Sequence, residues 1–187
     1  MATFGYTTAT ASGGLTGGTD TVFAKYELSE AAEVSKITAR LYVFSGYPGD
    51  MKALIYDDDS GTPGTLKGVS QATNVNSTSA ENFDFTFASP VDLTAGDYWL
   101  GLMVSSGDVY YYLCRDGGDS TRDWGRKNDP RFDYASPPST APALDDLFTD
   151  TNNWHCIYAT YTVPVSVPEA PTINAYQSGS NIIVAWS

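Results

Sequence analysis

The stretch Asn82-Phe83-Asp84-Phe85-Thr86-Phe87-Ala88, "NFDFTFA", decides the fold class. Its aromatic residues recur at every second position, with Asp84 and Thr86 between them. Successive side chains of a strand point to opposite faces, so Phe83, Phe85 and Phe87 face a core while Asp84 and Thr86 face water. A helix would turn Phe85 away from the other two rings. "TVFAKYEL", from Thr21, repeats the pattern, with Val22, Ala24, Tyr26 and Leu28 on one face and Lys25 and Glu27 on the other. Further runs of the same kind are Phe4 to Thr8, "VSKITARLYVF" from Val34, "MKALIYD" from Met51, "DYWLGLMV" from Asp97, "DVYYYLC" from Asp108 and "WHCIYATYTV" from Trp154. Gly, Pro, Asp and Ser separate them. Together they predict an all-β fold, an antiparallel two-sheet β-sandwich of the jelly-roll kind with about eight strands over residues 1–163. Pro142 to Phe148 reads as one short helical turn. Phe23, Leu41, Phe85, Leu100, Leu102 and Ile157 are expected in the shared core.

The chain has 187 residues, enough for one domain and part of another. Acids outnumber bases 22 to 10, a formal charge of −12. Such a surface repels phosphate backbones and anionic lipid, which argues against nucleic-acid partners. No apolar run approaches the roughly 20 residues of a spanning helix, so membrane insertion is not expected. The start, "MATFGYTTATASGG", has neither the basic nor the apolar region of a signal peptide. The expectation is a protein used without secretion of its own, or one whose leader precedes Met1. Assembly into a virion inside a host cell fits the first case.

"IYDDDSGTPGTL", Ile55 to Leu66, sets three carboxylates beside a glycine. A helix-loop-helix calcium loop needs an oxygen ligand at its fifth position and a bidentate Glu at its twelfth. Counting from Asp57, those positions are Gly61 and Gly68, and no helix flanks the loop. Carboxylates adjacent on a strand point apart, so they do not converge on one bond as an acid–base pair. Pro63-Gly64 is a turn signal, and the stretch reads as a hairpin connection. Asp57 and Asp59 stay weak candidates for a structural calcium ion; no other cofactor is expected.

Other chemistries fare no better. There is no G-x-S-x-G elbow and no phosphate loop between strand and helix. The only histidine, His155, lies within a strand-like run, which excludes histidine-rich zinc sites and leaves no triad partner in local sequence. No catalytic residues are expected, and the chain reads as non-enzymatic. Cys114 and Cys156 each sit in an apolar run; they are either a cross-sheet disulfide or two small buried side chains.

Binding is the remaining option. Arg115 to about Asn153 reads as one long, charged loop, of the length that tends to be functional. Its Trp124, Phe132 and Tyr134 imply that it packs against something. Sugars are recognised by aromatic faces and by nearby carboxylates that fix hydroxyls. Tyr110, Tyr112, Asp116, Asp123 and Trp124 supply both kinds of group. The opposing reading makes one member of each tyrosine pair core and Trp124 a pin for the loop.

Beyond Val163 the composition changes. "PVSVPEAP" is a proline-punctuated linker, residues 164–171, and "TINAYQSGSNIIVAWS", residues 172–187, reads strand, turn, strand. The latter resembles the opening of a fibronectin type III (Ig-like) domain, with its second-strand Trp at Trp186. A complete domain of that kind needs about 100 residues and seven strands, so a truncated domain is expected.

The first domain opens with Phe4-Gly5-Tyr6-Thr7-Thr8, carries "SGTPGTL" from Ser60 and "FTFASPVDLTAGDYWLGL" from Phe85, and closes on "IYATYT" from Ile157. This series resembles a jelly-roll β-sandwich domain of phage virion and bacterial surface proteins, often placed before fibronectin-like modules. The resemblance implies an exposed binding or structural role and brings no catalytic residues. It leads to an expected virion-surface structural protein, a capsid decoration or a head or tail fibre, displayed in many copies or as a homo-oligomer. Its expected partners are capsid or tail proteins and cell-surface glycan. Two other expectations are a carbohydrate-binding module of a secreted bacterial enzyme or adhesin, and a purely structural sandwich.

Overall fold

The computed structural model describes residues 1–8, 14–16, 20–106, 111–116, 122–128, 132–150, 154–164, 173–178 and 181–186. Among them are strands and no helix. In chain order the strands are β1 (Ala2–Gly5), β2 (Gly14–Thr16), β3 (Thr21–Leu28), β4 (Ala32–Val43), β5 (Gly49–Asp59), β6 (Thr62–Val69), β7 (Thr73–Val75) and β8 (Glu81–Leu93). Then follow β9 (Gly96–Val104), β10 (Tyr111–Asp116), β11 (Arg122–Lys127), β12 (Asp146–Asp150), β13 (Trp154–His155), β14 (Ile157–Thr162), β15 (Ile173–Ser178) and β16 (Asn181–Trp186).

Two seven-stranded antiparallel sheets form a sandwich. In the first, β4 is the spine, with β8 along one side and β14 and then β10 along the other. β1 pairs with β14, while β2 and β13 pair with β10. The second sheet runs β12-β11-β3-β9-β5-β6, with β7 beside the start of β5. β15 and β16 form a separate two-stranded sheet, the two strands expected there; the residues between them and most of the linker lie outside the described residues.

The inner faces meet in a core containing Leu41, Phe85, Leu100, Leu102 and Ile157, as their alternation predicts. Val22, Ala24, Tyr26 and Leu28 line it as one face of β3. In β4 the period slips at "VSKI", from Val34 to Ile37. A bulge at Ser35 absorbs the extra residue, so Val34, Ile37, Ala39 and Leu41 all still face inward.

Phe23 departs from expectation. It lies on the opposite face of β3 and joins a second core with Leu54, Tyr56, Trp99, Met103 and Phe132, on the outer side of the second sheet. β5 and β9 are apolar on both faces, which a strand tolerates only if both are covered. The cover is residues 132–145, a strap lying across this outer face. Phe132 packs on the rings of Phe23 and Tyr56, 5.6 and 6.1 Å away. Tyr56 donates its hydroxyl to the Pro138 carbonyl at 2.6 Å, and Lys52 donates to the Tyr134 carbonyl at 3.0 Å. The Leu66 amide donates to Ser139 and the Ala141 amide to Gly64, so the strap pairs briefly with the free edge of β6. Leu144 fills the notch left by Gly125, where a Cβ would sit 2.5 Å from its methyl group.

Several other expectations are corrected. Over residues 1–163 the described strands number fourteen rather than about eight, because the extra ones are short or break alternation with glycine and charge, as in "RDWGRK" of β11. Pro142 to Phe148 is extended rather than helical: residues up to Leu144 follow the sheet surface and the rest enters β12, which pairs with β11. The stretch from Arg115 to Asn153 is therefore not one loop. The β5–β6 turn is at Ser60 and Gly61, with φ of 56° and 91°, rather than at Pro63-Gly64, which lie inside β6. The left-handed region at both positions favours the primed hairpin turn whose twist matches the strands.

Candidate functional site

The expected binding residues separate when the chain folds. Tyr110 lies outside the described residues. Tyr112 is central in β10, opposite Tyr42 on one side and Thr16 on the other. Asp116 ends β10 opposite Trp154. Asp123 and Trp124 belong to β11, in the other sheet.

Within β11, alternation sends Asp123 and Trp124 to opposite faces. Trp124 pairs with Ala24 of the inner face and is only 7% exposed. Its ring stacks on Phe148 with centroids 4.3 Å apart and planes 16° apart, and it lies 5.3 Å from the His155 ring. One face of the indole is thus occupied, and Trp124 acts as an interior pin. His155 is 1% exposed, and its carbonyl accepts the Tyr26 hydroxyl at 2.5 Å.

Asp123 accepts a 2.5 Å hydrogen bond from the Thr149 hydroxyl across the β11–β12 ladder. That bond sets its carboxylate at the rim of a cleft of 180 Å³ lined by Lys25, Tyr26, Glu27, Asp97, Arg122 and Asp123. Tyr26, Glu27 and Arg122 also line an adjoining cleft of 290 Å³ that reaches Phe4, Gly5 and Tyr161. Glu27 and Asp97 are directly opposed in the β3–β9 register. Like charges directly opposed across a ladder are destabilising. Lys25 offsets part of this, standing 3.2 Å from both Asp97 and Asp58. For Lys25, burial disfavours the charge, but the hydrogen bonds it donates to Asp97 and Asp58 outweigh it and hold the ammonium above its ordinary value. Asp58 is fixed in turn. Burial pushes its carboxyl up, while the Trp99 indole N–H at 2.7 Å, the Gly61 amide and Lys25 hold it below the usual carboxylate range.

The sequence singled out Asp123 but missed Lys25, Glu27 and Asp97. "TVFAKYEL" placed Lys25 and Glu27 on an outward face, and only the register with β9 and β11 turns that face into one side of a cleft.

The acidic hairpin is organised differently. Asp57 accepts the Thr65 amide and pairs with Lys67 at 2.7 Å, while Asp58 turns to Trp99 and Lys25. Asp59 accepts from the Ser60 hydroxyl at 3.4 Å. Asp57 and Asp58 diverge as adjacent strand residues must, whereas Asp57 and Asp59 share a face of β5, both bordering Gly64. Among the described residues no three His, Cys, Asp or Glu side chains group to hold a metal.

No family model, no curated protein and no solved structure matches this chain.

Proposed function

We propose that this chain is a non-enzymatic virion-surface structural protein, a capsid decoration or a head or tail fibre component, that holds host-surface glycan in the cleft at Arg122 and Asp123. The observation that carries the binding part is the directly opposed Glu27–Asp97 pair at the cleft, with Lys25, Arg122 and Asp123 beside it. A sheet keeps a repulsive pair more readily where a ligand satisfies it. Sugar hydroxyls suit such a lining, since each donates to a carboxylate and accepts from an ammonium or guanidinium. Drug-sized ligands occupy pockets of about 300–1,000 Å³, so clefts of 180 and 290 Å³ suit single sugar rings. Rigid strands place these groups, which lowers the ordering cost of binding. Many copies on one particle would raise weak single-site affinity by about 10²–10⁴.

The test is a glycan array and host-cell binding assay on multimerised protein, with Asp123→Ala and Arg122→Ala alongside. Trp124→Ala is a poor probe because it opens the interior. Glycan binding that both variants lose supports the reading; binding that both retain moves the site elsewhere. No binding to any glycan or cell, together with stoichiometric attachment to assembled capsids, keeps the decoration role and removes the adhesive one.

A further inference from the structure

The two cysteines are far apart in sequence and adjacent in the fold. The β10–β13 ladder pairs Asp116 with Trp154 and Arg115 with His155. One step further, the same register sets Cys114 opposite Cys156, and the Cys156 amide donates to the Cys114 carbonyl at 2.8 Å. Opposed residues that exchange both hydrogen bonds have Cα atoms about 5.5 Å apart, inside the roughly 4.4–6.8 Å that a disulfide spans; here one of the two bonds is made, and the Cys156 carbonyl accepts the Arg40 amide instead. The faces also agree. Leu113 and Ile157 point into the inter-sheet core, so their neighbours Cys114 and Cys156 both point to the other face of the first sheet. Both thiols are fully buried and reduced in this structure.

We infer that Cys114 and Cys156 form an intramolecular disulfide when the chain folds in the presence of a small-molecule disulfide oxidant. One cysteine thiolate attacks the oxidant's disulfide, forms a mixed disulfide and releases one small thiolate. The second cysteine thiolate then attacks the protein sulfur of that mixed disulfide and releases the other. The protein loses two protons and two electrons, and the oxidant becomes two thiols. In the folded state burial pushes the Cys114 thiol up, against the pull of Arg40, and encloses it. Exchange therefore belongs to folding, before the junction closes. The bond would tie together the two ends of the segment carrying β11, the strap and β12, including Arg122 and Asp123 at the cleft. It does not depend on what the cleft binds.

The experiment refolds the denatured, reduced chain in a mixture of oxidised and reduced glutathione, and in parallel in excess reductant. Intact mass, maleimide labelling under denaturing conditions and thermal unfolding are then measured. The expected product of oxidative refolding is a monomer lighter by two hydrogens that takes up no maleimide. Its midpoint should be about 5–15 °C above that of the reduced protein, as closing a loop of this order implies. Cys114→Ala and Cys156→Ala should each abolish that difference between the two buffers. Folded, oxidatively refolded monomer that still labels at both cysteines would overturn the inference. So would a cross-linked dimer as the main product, or a crosslink that lowers the midpoint. If a single variant does not fold, the mass and labelling of the unsubstituted chain decide alone.

Discussion

The two hydrophobic cores are built from the same strands by different means. The inter-sheet core is made by residues from distant strands whose alternation points them inward, and both of its walls are sheets. The outer core has one sheet wall, the outer face of β3, β5 and β9, and one wall of irregular chain, the strap of residues 132–145. Closing the first needs every strand in register. Closing the second needs only that a tethered segment settle on a preformed surface, through Phe132, Leu144 and a few backbone hydrogen bonds. The first should therefore carry global stability, and the second should open locally at lower free energy.

Truncation at the two cores is the strongest way to break this comparison. Phe85→Ala, in the inter-sheet core, should lower unfolding free energy by about 3–5 kcal/mol, since flanking strands cannot move in to fill the void. Phe132→Ala should cost less, about 2 kcal/mol, because the strap can settle into the space. Denaturant unfolding measures both, and an equal or larger loss at Phe132 would make the strap part of the cooperative fold. Amide exchange sharpens the same point. In the Phe132→Ala protein the Leu66 and Ala141 amides, which hold the strap to β6, should exchange faster while the central strands stay protected.

A smaller effect is expected from Tyr56→Phe. It removes the hydroxyl bond to Pro138 but keeps the ring in the outer core, so a loss of about 0.5–1.5 kcal/mol is expected. No change in strap exchange would mean that apolar contact alone holds the strap.

The smallest effect concerns acid. Burial pushes the carboxyls of Asp58 and Asp84 up, yet hydrogen bonds and lysines keep both below their ordinary value, with Trp99, Gly61 and Lys25 acting on Asp58 and Lys36 and Thr38 on Asp84. The folded state thus binds fewer protons than the unfolded one. Their stabilisation is complete above the ordinary carboxylate value of about 4 and is lost as pH falls through the lower folded values. Stability measured from pH 6 downward should decline below about 4. Asp58→Asn should make that decline shallower; an unchanged slope would remove Asp58 from the account.

The sequence by itself determined the class of the fold and most of the inter-sheet core. A period of two is a local property of the chain, so "NFDFTFA" and "TVFAKYEL" reveal their inward faces without knowledge of any partner strand. It also exposed the divergence of Asp57 and Asp58, which follows from the same alternation. Other features depended on pairing between residues far apart, which local pattern does not encode. The second face of β3 looked incidental until the strap covered Phe23, and "RDWGRK" looked like loop until Gly125 and Trp124 found β3 on one side and β12 on the other. In sequence Trp124 fitted either a ligand platform or a pin, and pairing with Ala24 decided for the pin by turning its ring inward. The register of β3 with β9 opposed Glu27 to Asp97, and the ladder of β10 with β13 brought Cys114 to Cys156. Register is fixed only when whole sheets bury their faces together, and it is register that assembled the cleft and the cysteine pair.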